Sequence, residues 1–359
     1  MPSESAAIAR ARRTPGSVPS GRRDRGITRL GGPPRATHVR RGVALTGWLL
    51  GCLLMTLAVT LDAATTAVPR AVAPRTFPLV VPEPGEPPPG ANLPFYEARK
   101  GDMTIYVMGT LHVGKPDDYP FRKVVVDALR VSKVVAFELS PDDLTMSQDD
   151  VQKYGMCSRA CLPRLIPAPL WRQLRDRLKG NPAMLAEIRH MRPWLAALLV
   201  ETLDSMGADL QTEYGTENQL ENIYRGRIVG LESLAEQTDA FTGLTAAQQN
   251  ELLAQELVLT PKKATAQVEE LHRLWRAGDA ELVFDWSQSK ALQVRRNATL
   301  ADAIDERILY SRNRRFLARM LFLADPGKPV FVAVGTLHLG GPHGILQLLR
   351  EHGFSVAQR

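Results

Sequence analysis

From residue 93 onward the apolar positions fall into two periods. Runs at 93–98 and 103–108 flank Arg99-Lys100-Gly101-Asp102 and read as a hairpin. Lys115-Pro116-Asp117-Asp118 has the character of a helix start, and 119–131 carries apolar residues three and four apart. A short continuous apolar run at 133–139 reads as a buried strand. Strand, helix and strand at that spacing make a βαβ unit with a parallel pair, so the strands at 103–108 and 133–139 are expected to be neighbours. The middle of the chain is helical in period, over 169–179, 184–206, 218–224, 246–258, 267–276 and 300–323, interrupted by a short strand at 227–232. A strand at 330–334, a helix at 345–352 and a strand at 354–356 close the pattern. The expected fold is α/β: a mixed, partly parallel β-sheet with flanking helices and a helical insertion in the middle of the chain.

One phrase occurs twice in this frame. Gly109-Thr110-Leu111-His112-Val113-Gly114 follows the second strand, and Gly335-Thr336-Leu337-His338-Leu339-Gly340 follows the strand at 330–334. Each copy presents a histidine just past the carboxyl end of a strand, the edge at which open α/β sheets bind ligands. Glu138 and Glu232 also stand at predicted strand ends. Two imidazoles and one or two carboxylates suit a divalent metal with open coordination positions, which could activate water for hydrolysis. The plainer reading makes each histidine a packed structural residue and each glutamate a cap or salt-bridge partner; the duplicated phrase favours chemistry. Arg312-Asn313, on a charged helix, is either a surface pair or a contact for an anionic group.

The net charge of +7 changes little once located. Residues 1–41 hold ten arginines against Glu4 and Asp24, which leaves the remainder near neutral and disfavours a nucleic-acid partner. Residues 42–62 form an apolar segment that follows Arg40-Arg41 and carries no charge before Asp62, long enough for a cleaved export signal, a retained membrane anchor or a buried helix. Residues 63–92 are proline-rich and extended, a tether ahead of a catalytic body at 93–359. The expected location is exported, either periplasmic or held on the outer face of the cytoplasmic membrane. There Cys157 and Cys161 form a local disulfide, stay as thiols or bind metal.

The duplicated phrase, Phe137-Glu138-Leu139, Ile228-Val229-Gly230-Leu231-Glu232-Ser233 with Gln237, Arg312-Asn313 and the closing stretch through Ile345 together resemble the TraB/GumN family, which is related to the Tiki metalloproteases of animals. The resemblance implies an α/β fold with an active site built from two Gly-x-x-His motifs and a glutamate. Carried over, His112, Glu138 and His338 are the catalytic and metal-binding residues, with Arg312 in the catalytic set and Glu232 as a further ligand. It implies metal-dependent peptide cleavage with manganese or cobalt favoured and zinc as an alternative, on a peptide or protein substrate. Where members often carry Gly-hydrophobic-Asp, this chain reads Gly215-Thr216-Glu217, and His343 replaces a common acidic residue. A non-catalytic peptide- or signal-binding module using the same cleft is the competing reading.

Overall fold

The computed structural model describes residues 92–359, and the basic leader, the apolar segment and most of the tether lie outside them. Among the described residues no helix is long and apolar enough to cross a membrane. Six strands form one sheet: β1 (Phe95–Lys100), β2 (Met103–Thr110), β3 (Val134–Phe137), β4 (Ile228–Gly230), β5 (Val330–Gly335) and β6 (Ser355–Gln358), in the order β4-β3-β5-β2-β1-β6. Strands β4, β3, β5 and β2 run parallel; β1 is antiparallel to β2 and β6.

The expected neighbours β2 and β3 do not touch. Strand β5 stands between them, with Val332 opposite Val107 on one side and Ala136 on the other. Its side chains explain the choice: Val330 to Val334 are all buried, as are Val134 to Phe137 of β3, and strands apolar on both faces belong at the centre of a parallel sheet.

Each face carries its own core. On one, Phe95, Met108, Val135, Phe137 and Phe331 pack against the helical insertion around Trp194 and Trp275. On the other, Ile105, Val107, Ala136, Val332 and Val334 meet Phe316, Leu317 and Met320 of helix Ser311–Leu323, and Leu346 and Leu349 of helix Ile345–Glu351. The Trp275 indole donates to the Gly109 carbonyl at 3.0 Å, which fixes the insertion to the end of β2.

Several helix boundaries differ from the periodic reading. The helix expected from residue 119 begins at Lys123, after a short 3-10 turn at Pro116–Asp118. The long helix expected over 184–206 is two, Pro182–Ile188 and Pro193–Gly207. Proline cannot donate an amide inside a helix but suits its first turn, so Pro193 starts the second one. The helix expected over 300–323 contains a π-turn at Glu306–Tyr310, just before Arg312. Helices Pro141–Gly155, Leu234–Thr242 and Ala280–Val294 were not expected.

Cys157 and Cys161 are bonded, the first of the three states the spacing allowed. Closing so short a loop should contribute about 2 kcal/mol. Replacing both cysteines by serine should lower the urea-derived stability by no more than about that amount, since the Cys157 and Cys161 amides keep their bonds to the His190 and Arg189 carbonyls.

Candidate functional site

Because β2, β5, β3 and β4 are adjacent and parallel, their carboxyl ends deliver His112, His338, Glu138 and Glu232 to one edge. The turns there are tight. A Cβ on Gly109 would meet the Thr336 hydroxyl at 2.8 Å and Leu339 at 2.9 Å, and the Thr336 hydroxyl itself donates to the Thr110 carbonyl at 3.0 Å. The two Gly-x-x-His turns are thus bonded to one another.

Arg312 lies behind this edge, buried. Its guanidinium donates to Glu232 at 2.5 Å and to Glu138 at 2.6 Å, and a further N–H reaches the Ile308 carbonyl at 3.1 Å. That carbonyl belongs to the π-turn, a distortion that often marks functional positions. Burial pushes the Glu232 carboxyl up against the pull of Arg312. Burial also opposes the charge on Glu138, but His338, Arg312 and the Gly335 amide, which donates at 2.8 Å, outweigh it and hold that carboxyl down at about 2. The Gln237 amide completes the Glu232 contacts at 3.2 Å.

His338 is fully buried. Asn313 donates to the His343 carbonyl at 2.8 Å, which orients its amide so that its oxygen accepts from Nδ1 of His338. That leaves the Nε2 lone pair toward the Arg312 guanidinium at 3.4 Å and Glu138 at 3.6 Å. The ring also lies against Phe316. Burial, more than any other influence, pushes the imidazole down to about 3, so it is neutral in use.

An acid limit on stability follows from this pair. Folded, His338 and Glu138 titrate below their ordinary values of about 6.5 and about 4.3. The unfolded chain therefore binds more protons in acid, and stability present at neutral pH is lost as pH falls from about 6.5 through about 2. Melting temperature should decline throughout that range; a level profile from about pH 7 to about pH 3 would contradict the buried, neutral state of His338.

His112 has different surroundings. It lines a cavity of about 500 Å3 between the sheet edge and the insertion, and Glu138, Thr110 and Gly335 line it too. Nδ1 of His112 faces Glu217 at 3.2 Å, and the Thr110 hydroxyl donates to the same carboxylate at 2.6 Å. Glu217 sits in the first turn of helix Thr216–Ile223, seated where Gly215 passes against the His112 carbonyl. It was not among the expected site residues, although the Gly-x-acidic pattern at 215–217 pointed to it. His343 is placed away from these carboxylates, against Tyr310.

All five expected residues are therefore brought together, in two tiers. His112 and Glu138 reach the cavity; Arg312, Glu232 and His338 do not line it. Among the described residues no three His, Cys, Asp or Glu side chains are grouped so that they could hold a metal ion. The Arg312 guanidinium already neutralises Glu232 and shares Glu138, so this arrangement does not fit an ion.

A family model describing the TraB/PrgY/gumN family matches residues 94–358. The chain belongs to that family. It is also 23% identical over 302 residues to a Metalloprotease TIKI homolog from Nematostella vectensis, covering 70% of this chain and 64% of the relative. The chain thus spans less than two thirds of that relative's length. No solved structure matches it.

Proposed function

We propose that this TraB-family chain is a hydrolase that cleaves a peptide bond in the cavity at the carboxyl edge of its sheet. The carrying observation is that His112, backed by Glu217, lines the same cavity as an ionised Glu138. A carboxylate on Nδ1 fixes the imidazole tautomer and leaves Nε2 as the basic nitrogen. His112 would accept a proton from the attacking water and later return it to the leaving amine. Glu138 would orient that water. Arg312 would keep Glu138 ionised from behind, and the neutral His338 ring would pack beside it.

Metal dependence, with manganese or cobalt ahead of zinc, is the finer part of the proposal. Its support is the likeness to the Nematostella metalloprotease homolog and the presence of two imidazoles and two glutamates at one edge, not the arrangement of those groups. Export to the periplasm, or anchoring to the outer face of the cytoplasmic membrane, is likewise proposed. It is supported by the leader's sequence and by the Cys157–Cys161 bond, which suits an oxidising compartment.

The test is cleavage of a broad peptide library by the full-length chain, stripped of metal and then supplied with manganese, cobalt or zinc, with products read by mass spectrometry. Glu138→Gln should lower the rate at least about a hundredfold. Tight binding with no products under any ion would replace the hydrolase by the binding module; products without any added ion would remove the metal requirement alone.

A further inference from the structure

The cavity beside His112 is larger than proton transfer needs, and its volume lies in the range of clefts that enclose a small ligand. Its wall and its rim differ in chemistry. Met206, Leu210, Val268 and Leu271 supply an apolar wall, while Asp209 and Glu213 add two carboxylates. Glu138, beside His112, and Glu201 add two more, and no lysine or arginine is among the lining residues.

The acidic side is held in place. Gly114 and Gln211 exchange backbone hydrogen bonds at 3.0 and 2.9 Å, so the strip bearing Asp209 and Glu213 is bonded to the residue two beyond His112. The Gln219 amide fixes the Glu213 carbonyl at 2.8 Å. Asp209 itself has φ +55°, a left-handed conformation that aspartate tolerates better than most residues. The two rim carboxylates are exposed, where they meet a ligand without first losing their water.

We infer that this cavity selects peptides in which an apolar side chain stands next to a cationic group. The apolar group lies on the wall of Met206 and Leu271; a lysine, arginine or amino terminus meets Asp209 and Glu213. An acidic peptide would bring like charge to a rim with no compensating cation. This deepens the hydrolase reading and rests on it for the claim that the selected peptide is also cut.

Binding separates the two claims. Fluorescent peptides carrying leucine beside lysine, and matched peptides carrying leucine beside glutamate, are titrated onto the full-length chain at low ionic strength. The lysine peptide should bind about tenfold more tightly, the size expected of two exposed ion pairs, and the preference should shrink as salt is raised. Asp209→Asn with Glu213→Gln should remove most of the preference while leaving His112 and Glu138 untouched. Equal affinities, no binding of either peptide, or a preference unchanged in the double variant would overturn the inference. A charge preference without cleavage would leave the inference standing and fail the hydrolase reading; cleavage without a preference would do the reverse.

Discussion

Replacing Arg312 by methionine should cost about 3–5 kcal/mol of folding stability, the usual consequence of removing one partner from a buried ion-pair network. Glu138 and Glu232 would be left facing each other with their shared cation gone. Burial already raises the Glu232 carboxyl, and removing Arg312 should raise it further. Arg312→Lys should recover little, because an ammonium lacks the fork that spans both carboxylates. Arg312→Met combined with Glu232→Gln should recover part of the loss by removing one uncompensated charge. Urea denaturation of the parent and the three variants makes the comparison. Stability of Arg312→Met within about 1 kcal/mol of the parent would show that the network contributes little.

His112→Ala should lower kcat/KM for a cleaved peptide about a hundred- to ten-thousandfold, the range for loss of a general acid–base group. The side chain is partly exposed to the cavity, so the melting temperature should change little. Glu217→Gln should have a smaller effect on rate and shift the acidic limb of the pH profile, where His112 must be unprotonated to act as base, because the carboxylate orients Nδ1 without touching substrate. His338→Ala should lose activity and stability together, since it empties a fully buried position between Asn313 and Phe316. Retained activity in His112→Ala would remove this histidine from the reaction.

The strand ends were legible because a glycine stops each apolar run: Gly109 and Gly335 mark where β2 and β5 release the chain. Which strands would be neighbours was not legible, since nothing local to β5 says that it inserts between β2 and β3. The roles of the two histidines were hidden for a related reason. Identical phrases give identical turns, but Glu217 comes to one and Asn313 to the other from distant helices. Some signals were present and unread. Ser233 and Glu236 form a capping box for helix Leu234–Thr242, and Ser140 ahead of Pro141 caps helix Pro141–Gly155. Arg312 could be read either as a surface cation or as a contact for an anion, because its helix is rich in arginine; the fold turns that one residue inward, onto two glutamates.

The place of β5 in the sheet bears on how the protein comes into being. β2 and β3 are made first, yet they flank a slot that only β5 fills, and β5 follows them only after the whole helical insertion. Until then the two halves of the edge cannot meet, and the Glu138 carboxylate has no Gly335 amide to bind. Pairing across so long an interval is slow to nucleate. The nascent polypeptide therefore carries these groups apart until β5 is in place, so a product truncated before residue 330 would lack the assembled edge.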